Sequence, residues 1–185
     1  MSSANQAVVF LVQNLFLLYI YVVLLRFLLQ VAKADFYNPV SQFIVKATAP
    51  ILNPLRRIIP GIGGLDIASL LLAWVLYVAM IIAIFYLVYG QMVPVVNLLI
   101  YSVTGLIKTI AGIYLVGIII SAIMSWIPQA RQNPVGLLVC QLVEPPLKPF
   151  RKLLPDMGGI DLSPIFAILI LQFLRMLLQP PYVFI

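Results

Sequence analysis

The chain has 185 residues, 64% hydrophobic and only 9% charged, with a net charge of +6. A soluble domain carries about 25% charged residues, so this chain cannot cover a water-facing surface and belongs in a membrane. It has no histidine and one cysteine, Cys140. That leaves no histidine base or haem ligand, no intrachain disulfide and no thiolate metal cluster, and Cys140 reads as a small buried hydrophobe.

Met1 to Gln6 is polar and uncharged. Ala7 to Val31 is an apolar run interrupted only by Gln13, Asn14, Arg26 and Gln30. A helix of that length rises about 37 Å, more than the ~30 Å hydrocarbon core, and crosses with tilt. It is too long for a signal peptide, and no Lys or Arg precedes it. Its first positive charges, Arg26 and Lys33, mark its cytoplasmic end.

The stretch from Asn38 to Asp66 follows. Asn38-Pro39 reads as a helix start, with Asn capping and Pro at the first helical position. Val40, Phe43, Ile44 and Ala47 repeat at i, i+3, i+4 and i+7, with Ser41, Gln42, Lys46 and Thr48 elsewhere on the wheel. This predicts a short amphipathic helix of about three turns at most, too short to span. Pro50, Pro54 and Pro60 are expected to prevent a continuous helix. Gly61, Gly63 and Gly64 form a turn that permits positive φ, and Asp66 caps the next helix.

Ile67 to Tyr89 is the second span and carries no charge. Trp74 lies one to two turns inside it, and Tyr86 and Tyr89 lie at its outer interface. Gly90 to Pro94 turns the chain back. Val95 to Ile107 is broken by Asn97, Ser102, Thr104 and Gly105, and reads either as the first turns of a long third helix or as a separate interfacial piece. The spanning core is placed at Thr109 to Ile127, which would leave Lys108 at the outer interface; a helix beginning near Val95 would instead place it deep and in need of a partner. Gly105, Gly112 and Gly117 serve close helix packing. Leu162 to Gln179 is the fourth span, ended by Pro180-Pro181, and Arg175 near its end snorkels outward.

Between the third and fourth spans, Asn133 to Asp161 copies Asn38 to Asp66. An offset of 95 aligns the two without a gap, and eleven of 29 positions are identical. Composition alone gives roughly two matches, so this is an internal repeat. Asn38, Pro39, Pro54, Gly63, Gly64 and Asp66 recur as Asn133, Pro134, Pro149, Gly158, Gly159 and Asp161. The fold expected is an all-α membrane protein of four transmembrane helices in two tandem repeats, each with an amphipathic, proline-broken interfacial segment. The repeats span residues 1–94, with the block at 38–66, and 95–185, with the block at 133–161.

Lys33, Lys46, Arg56 and Arg57 lie in one connection, and Arg131, Lys148, Arg151 and Lys152 in the other. The termini and the Gly90 turn hold no Lys or Arg, so both blocks are expected in the cytoplasm and both termini outside. With two spans each, the halves share one orientation and are expected to be related by a pseudo-twofold axis along the membrane normal.

The doubled motif N-P-V…P-x-L-x-P-[LF]-R-[RK]-[IL]-[IL]-P-x-x-G-G-[LI]-D resembles the YggT family of bacterial integral membrane proteins, from about Leu15 to Arg175. The resemblance implies a bacterial inner-membrane location. It also implies links to membrane-complex assembly, including cytochrome maturation in plastids, to cell division or envelope organisation, and to osmotic-stress tolerance. One-repeat relatives imply that this chain resembles a fused dimer, and association of further copies stays open.

Arg56, Arg57, Arg151 and Lys152 have two readings that can hold together. They hold the blocks on the cytoplasmic side, or they form a site for anionic lipid headgroups or a membrane protein partner, each contributing about 1 kcal/mol near an anionic surface. Asp66 and Asp161 read as helix caps, or as ion-pair partners of Arg56 and Arg151. An intramembrane aspartyl protease is disfavoured, because Gly-Gly-Leu-Asp departs from the Gly-x-Gly-Asp signature. No cofactor or metal cluster, P-loop or nucleophile-base pair is visible, and the charge is too sparse for nucleic acid. A non-enzymatic scaffold or assembly factor is preferred over a channel or small transporter, because the spans carry so few polar residues.

Overall fold

The structure, a computed structural model, describes residues 3–61, 63–153 and 161–178. Six helices follow one another: α1 (Ser3–Val31), α2 (Pro39–Ile58), α3 (Ile67–Tyr89), α4 (Val95–Met124), α5 (Pro134–Leu153) and α6 (Ser163–Leu177). A single 3-10 turn, Pro128–Arg131, joins α4 to α5. No β-strand occurs among the described residues.

α1, α3 and α4 are long and apolar enough to cross a membrane. α6 has 15 residues and rises only about 22 Å, so the span expected to reach Gln179 is short within the described residues. Pro155, Gly158, Gly159 and the Pro180-Pro181 stop lie outside them. The two halves pack alike: α1 rests on α3 as α4 rests on α6, and α2 and α5 lie against the first helix of their own half. Ile20, Leu24 and Leu72 centre the larger core, and Ile118, Val143, Leu147 and Ala167 the smaller one.

One expectation about the blocks is corrected. α2 and α5 are each continuous over 20 residues, with Pro50 and Pro54 inside one and Pro145, Pro146 and Pro149 inside the other. A proline removes one N–H donor and crowds the carbonyl four residues back. Here the five rings stand on exposed or half-exposed faces, where the freed carbonyls can meet water and the helix can bend away from the bundle. Ser41, Ile44, Thr48 and Leu52 are buried, whereas Phe43 is 67% exposed. The stripe of Phe43, Ala47, Pro50 and Pro54 points away from the bundle, which suits an apolar solvent on that side.

Of the two readings of Lys108, the structure favours the helix that begins at Val95. α4 runs unbroken from Val95 to Met124, so Lys108 lies along its length rather than before its start. The polar residues that suggested a break bond within the helix instead. Ser102 Oγ donates to Leu99 O at 3.0 Å and Thr104 Oγ1 to Ile100 O at 2.7 Å. Ser102 also accepts from Trp74 Nε1 at 3.0 Å, tying α4 to α3. A Cβ on Gly105 would overlap the Tyr77 ring, and one on Gly117 would lie 2.9 Å from Val143 Cγ1. These small residues therefore let α3 and α5 approach α4, as packing without a hydrophobic driving force requires.

Candidate functional site

The blocks are positioned by their caps. Asn38 Oδ1 accepts from Val40 N at 2.9 Å, with Pro39 opening α2. Asn133 Oδ1 accepts from Gly136 N at 2.7 Å in the same way. Gly64 has φ +81° and Gly63 +62°, a region costly for other residues. This turn delivers Gly64 O to Gln30 Nε2 at 2.9 Å and returns the chain to Asp66.

Asp66 gathers three partners. Its carboxylate pairs side-on with Arg56 through Nε and Nη2, and accepts from the Ser69 backbone N–H and hydroxyl. Burial alone would raise its pKa, but the bonds from Arg56 and Ser69 hold the carboxyl below its usual range. Arg151 repeats the arrangement on the other half, donating from Nε to Asp161 Oδ2 at 3.0 Å. It also donates from Nη1 to Glu144 Oε2 at 2.7 Å, where the first half has Ala49. These two carboxylates outweigh burial and raise the Arg151 pKa. The Asp161 carboxyl is lowered, because bonds from Ser163 and Arg151 outweigh burial.

The two ties differ in setting: Asp66 is 4% exposed and Asp161 44%. Asp161 also sits one residue ahead of the helix cap position, which falls at Leu162, although Ser163 N still donates to it at 2.9 Å. Each aspartate is bound to its own arginine, which favours the ionised form in both. An aspartyl-protease pair instead shares one proton between adjacent carboxyls.

Arg57 and Lys152 are exposed and make no ion pair among the described residues. The four cations named from the sequence thus divide by role. Arg56 and Arg151 hold the folded blocks, and Arg57 and Lys152 face outward. Pro54 and Pro149 lie inside α2 and α5 on their exposed sides.

The structure adds a residue that orientation by charge had treated only as a marker. Arg26 is 8% exposed. Its Nη1 donates to Val45 O at 3.1 Å and Thr48 Oγ1 at 2.5 Å. Arg26, Gln30 and Lys33 stand at i, i+4 and i+7, and that helical spacing was the available signal for a polar face at the end of α1.

The blocks also touch. Asn38 Nδ2 donates to Pro134 O at 2.6 Å, and Asp35 N donates to Gln141 Oε1 at 3.0 Å. Two like halves, each closed by an arginine–aspartate tie, with three helices among the described residues long and apolar enough to cross a membrane, define an internally duplicated helical protein of membrane type. Comparison with known proteins narrows that class. The chain belongs to the CCB3/YggT family, whose model matches it twice, at residues 5–87 and 100–182. It is 50% identical to an uncharacterised protein of Pseudomonas aeruginosa over 96% of this chain and 90% of that one. It is 44% identical to YggT of Escherichia coli K12 over 90% of this chain and 86% of that one. A Vibrio alginolyticus protein is also 44% identical, over 91% of each chain. No solved structure gives a significant match.

Proposed function

We propose that this chain is a non-enzymatic integral membrane scaffold or assembly factor. Its two blocks form one platform at the cytoplasmic face of the bacterial inner membrane, binding anionic headgroups and a membrane protein partner. The supporting observation is the contact between the N-terminal ends of α2 and α5 through Asn38 and Pro134, which ties the two basic blocks to each other. Arg57 and Lys152 stand exposed near the ends of those helices, where cations also complement the helix dipole. Assembly of membrane complexes, envelope organisation in cell division and osmotic-stress tolerance are the settings such a platform would serve.

The test replaces Arg57→Glu together with Lys152→Glu and leaves both ties intact. Crosslinking in native membranes, followed by mass spectrometry, identifies the complex that copurifies with the wild-type chain. The double variant should insert normally and lose that complex roughly tenfold or more, since reversed rim charges act on association. Undiminished recovery would refute the platform.

A further inference from the structure

A cavity of about 440 Å³ opens between the end of α1 and α2, lined along α2 from Ser41 in its first turn to Arg56 in its last. Its lining includes Arg26, Lys33, Ser41 and Arg56 beside the apolar Phe36 and Ile44. Asp66, on Arg56, is the carboxylate of this cluster, so three cations less one anion leave a surplus of two positive charges. We infer that this cavity is a single site for a phosphate oxyanion, carried either by a phospholipid headgroup or by a soluble phosphate compound. The inference deepens the headgroup part of the proposed platform but rests on different side chains.

Arg26 carries the argument furthest. A buried guanidinium costs several kcal/mol unless a charge compensates it. Among the described residues its hydrogen-bond partners are neutral, Val45 O and Thr48 Oγ1, both reached by Nη1, and the through-space pull of Asp66 is outweighed by the push of Arg56. Nη2 and Nε therefore remain for a ligand. Arg56 lines the far end of the cavity, fifteen residues along α2 from Ser41 and about 22 Å by helix rise. Asp66 holds it there through Nε and Nη2, so it adds positive potential and not a direct contact. Ser41 is 6% exposed and its Oγ has no hydrogen-bond partner among the described residues. A buried hydroxyl without a partner is costly, and Ser41 lines this cavity. It lies in the first turn of α2, where the helix dipole also favours an anion. The guanidinium fork of Arg26 suits phosphate geometry, and Phe36 and Ile44 offer apolar contact to the rest of an amphiphile.

The second half does not repeat these side chains, so one such ligand per chain is expected. The positions of Arg26, Lys33, Ser41 and Thr48 hold Ser121, Pro128, Gly136 and Val143. The space beside Gly136 is filled by Ala130 O and the Met124 side chain.

The test uses the full chain in uncharged detergent, with bound lipid counted by native mass spectrometry. Phosphatidylglycerol and phosphatidylcholine are titrated separately, and inorganic phosphate is added in a parallel thermal-shift series. Wild type should bind one phosphate group saturably. Saturation by phosphatidylglycerol alone assigns a lipid headgroup, and saturation by inorganic phosphate assigns a soluble ligand. Ser41→Ala should weaken binding by roughly fivefold to tenfold, as loss of a hydrogen bond to a charged group does. The ligand-free Ser41→Ala chain should be no less stable than wild type, an outcome that a purely structural serine would not give. Lys33→Gln should weaken binding similarly, whereas Lys148→Gln, the same charge change outside the cavity, should not. Binding that is non-saturable, or equal in Ser41→Ala, Lys33→Gln and wild type, would overturn the site. Failure here leaves partner capture through Arg57 and Lys152 as a separate result.

Discussion

Replacing each aspartate by alanine tests the unequal depth of the two ties. Asp66→Ala removes the cap acceptor of Ser69 N and both bonds from Arg56. A lost cap costs about 1 kcal/mol, and each hydrogen bond to a charged group about 1.5–3 kcal/mol. Arg56 is 35% exposed and regains part of that from water, so the expected total is about 2–4 kcal/mol. Asp161→Ala should cost about 1 kcal/mol, because the pair is exposed and Arg151 keeps Glu144 at 2.7 Å. The assay is reversible unfolding of the full chain in mixed micelles, read by circular dichroism. The Asp66 carboxyl is lowered in the folded state. Its contribution is therefore full above the unfolded carboxylate pKa near ~3.9 and declines as pH falls through the lower folded value. Asp66→Ala should flatten that acid limb more than Asp161→Ala does. Equal costs for the two variants, or an unchanged acid limb, would refute the reasoning.

Gly105→Ala should destabilise the α3–α4 contact by about 1–3 kcal/mol, because its methyl overlaps the Tyr77 ring. Tyr77→Leu should recover part of that loss in the same unfolding assay. Gly112→Ala should stay within about 0.5 kcal/mol, since its nearest neighbour would be Arg175 at 3.9 Å. Lys33 has φ +51°, so Lys33→Gly should stabilise the lipid-free chain by up to about 1 kcal/mol, whereas Lys33→Gln should not. Trp74→Phe should cost about 0.5–1.5 kcal/mol through its bond to Ser102, and Ser102→Ala in the Trp74→Phe background should add little.

The elements most legible in the sequence were those whose signals are local. α3 occupies Ile67–Tyr89 as its charge-free run indicated, and Asn38 and Asp66 accept the N–H groups that capping chemistry assigns to them. What was less legible depends on surroundings that one segment does not show. An apolar side chain can face lipid as readily as the core, and Phe43 faces outward while Ser41 and Thr48 face in. The prolines were weighed as breaks without regard to the side on which they stand. Arg26 was counted by the leaflet it marks, although its partners on α2 lie 19 and 22 residues away. No local pattern announces a contact of that separation, nor the meeting of Asn38 with Pro134 across the two halves.

The prolines of α2 and α5 have a consequence for immersion. Pro50 and Pro54 leave the carbonyls of Lys46 and Pro50 without their usual helical donors, and the prolines of α5 do the same to three more. In hydrocarbon each such group would cost several kcal/mol, while Phe43 and its neighbours would lose contact with the acyl chains if the helix rose clear. The two segments can float at one waterline only, moist above and oily below, and sinking or lifting either would strain the seam at Asn38 that moors them together.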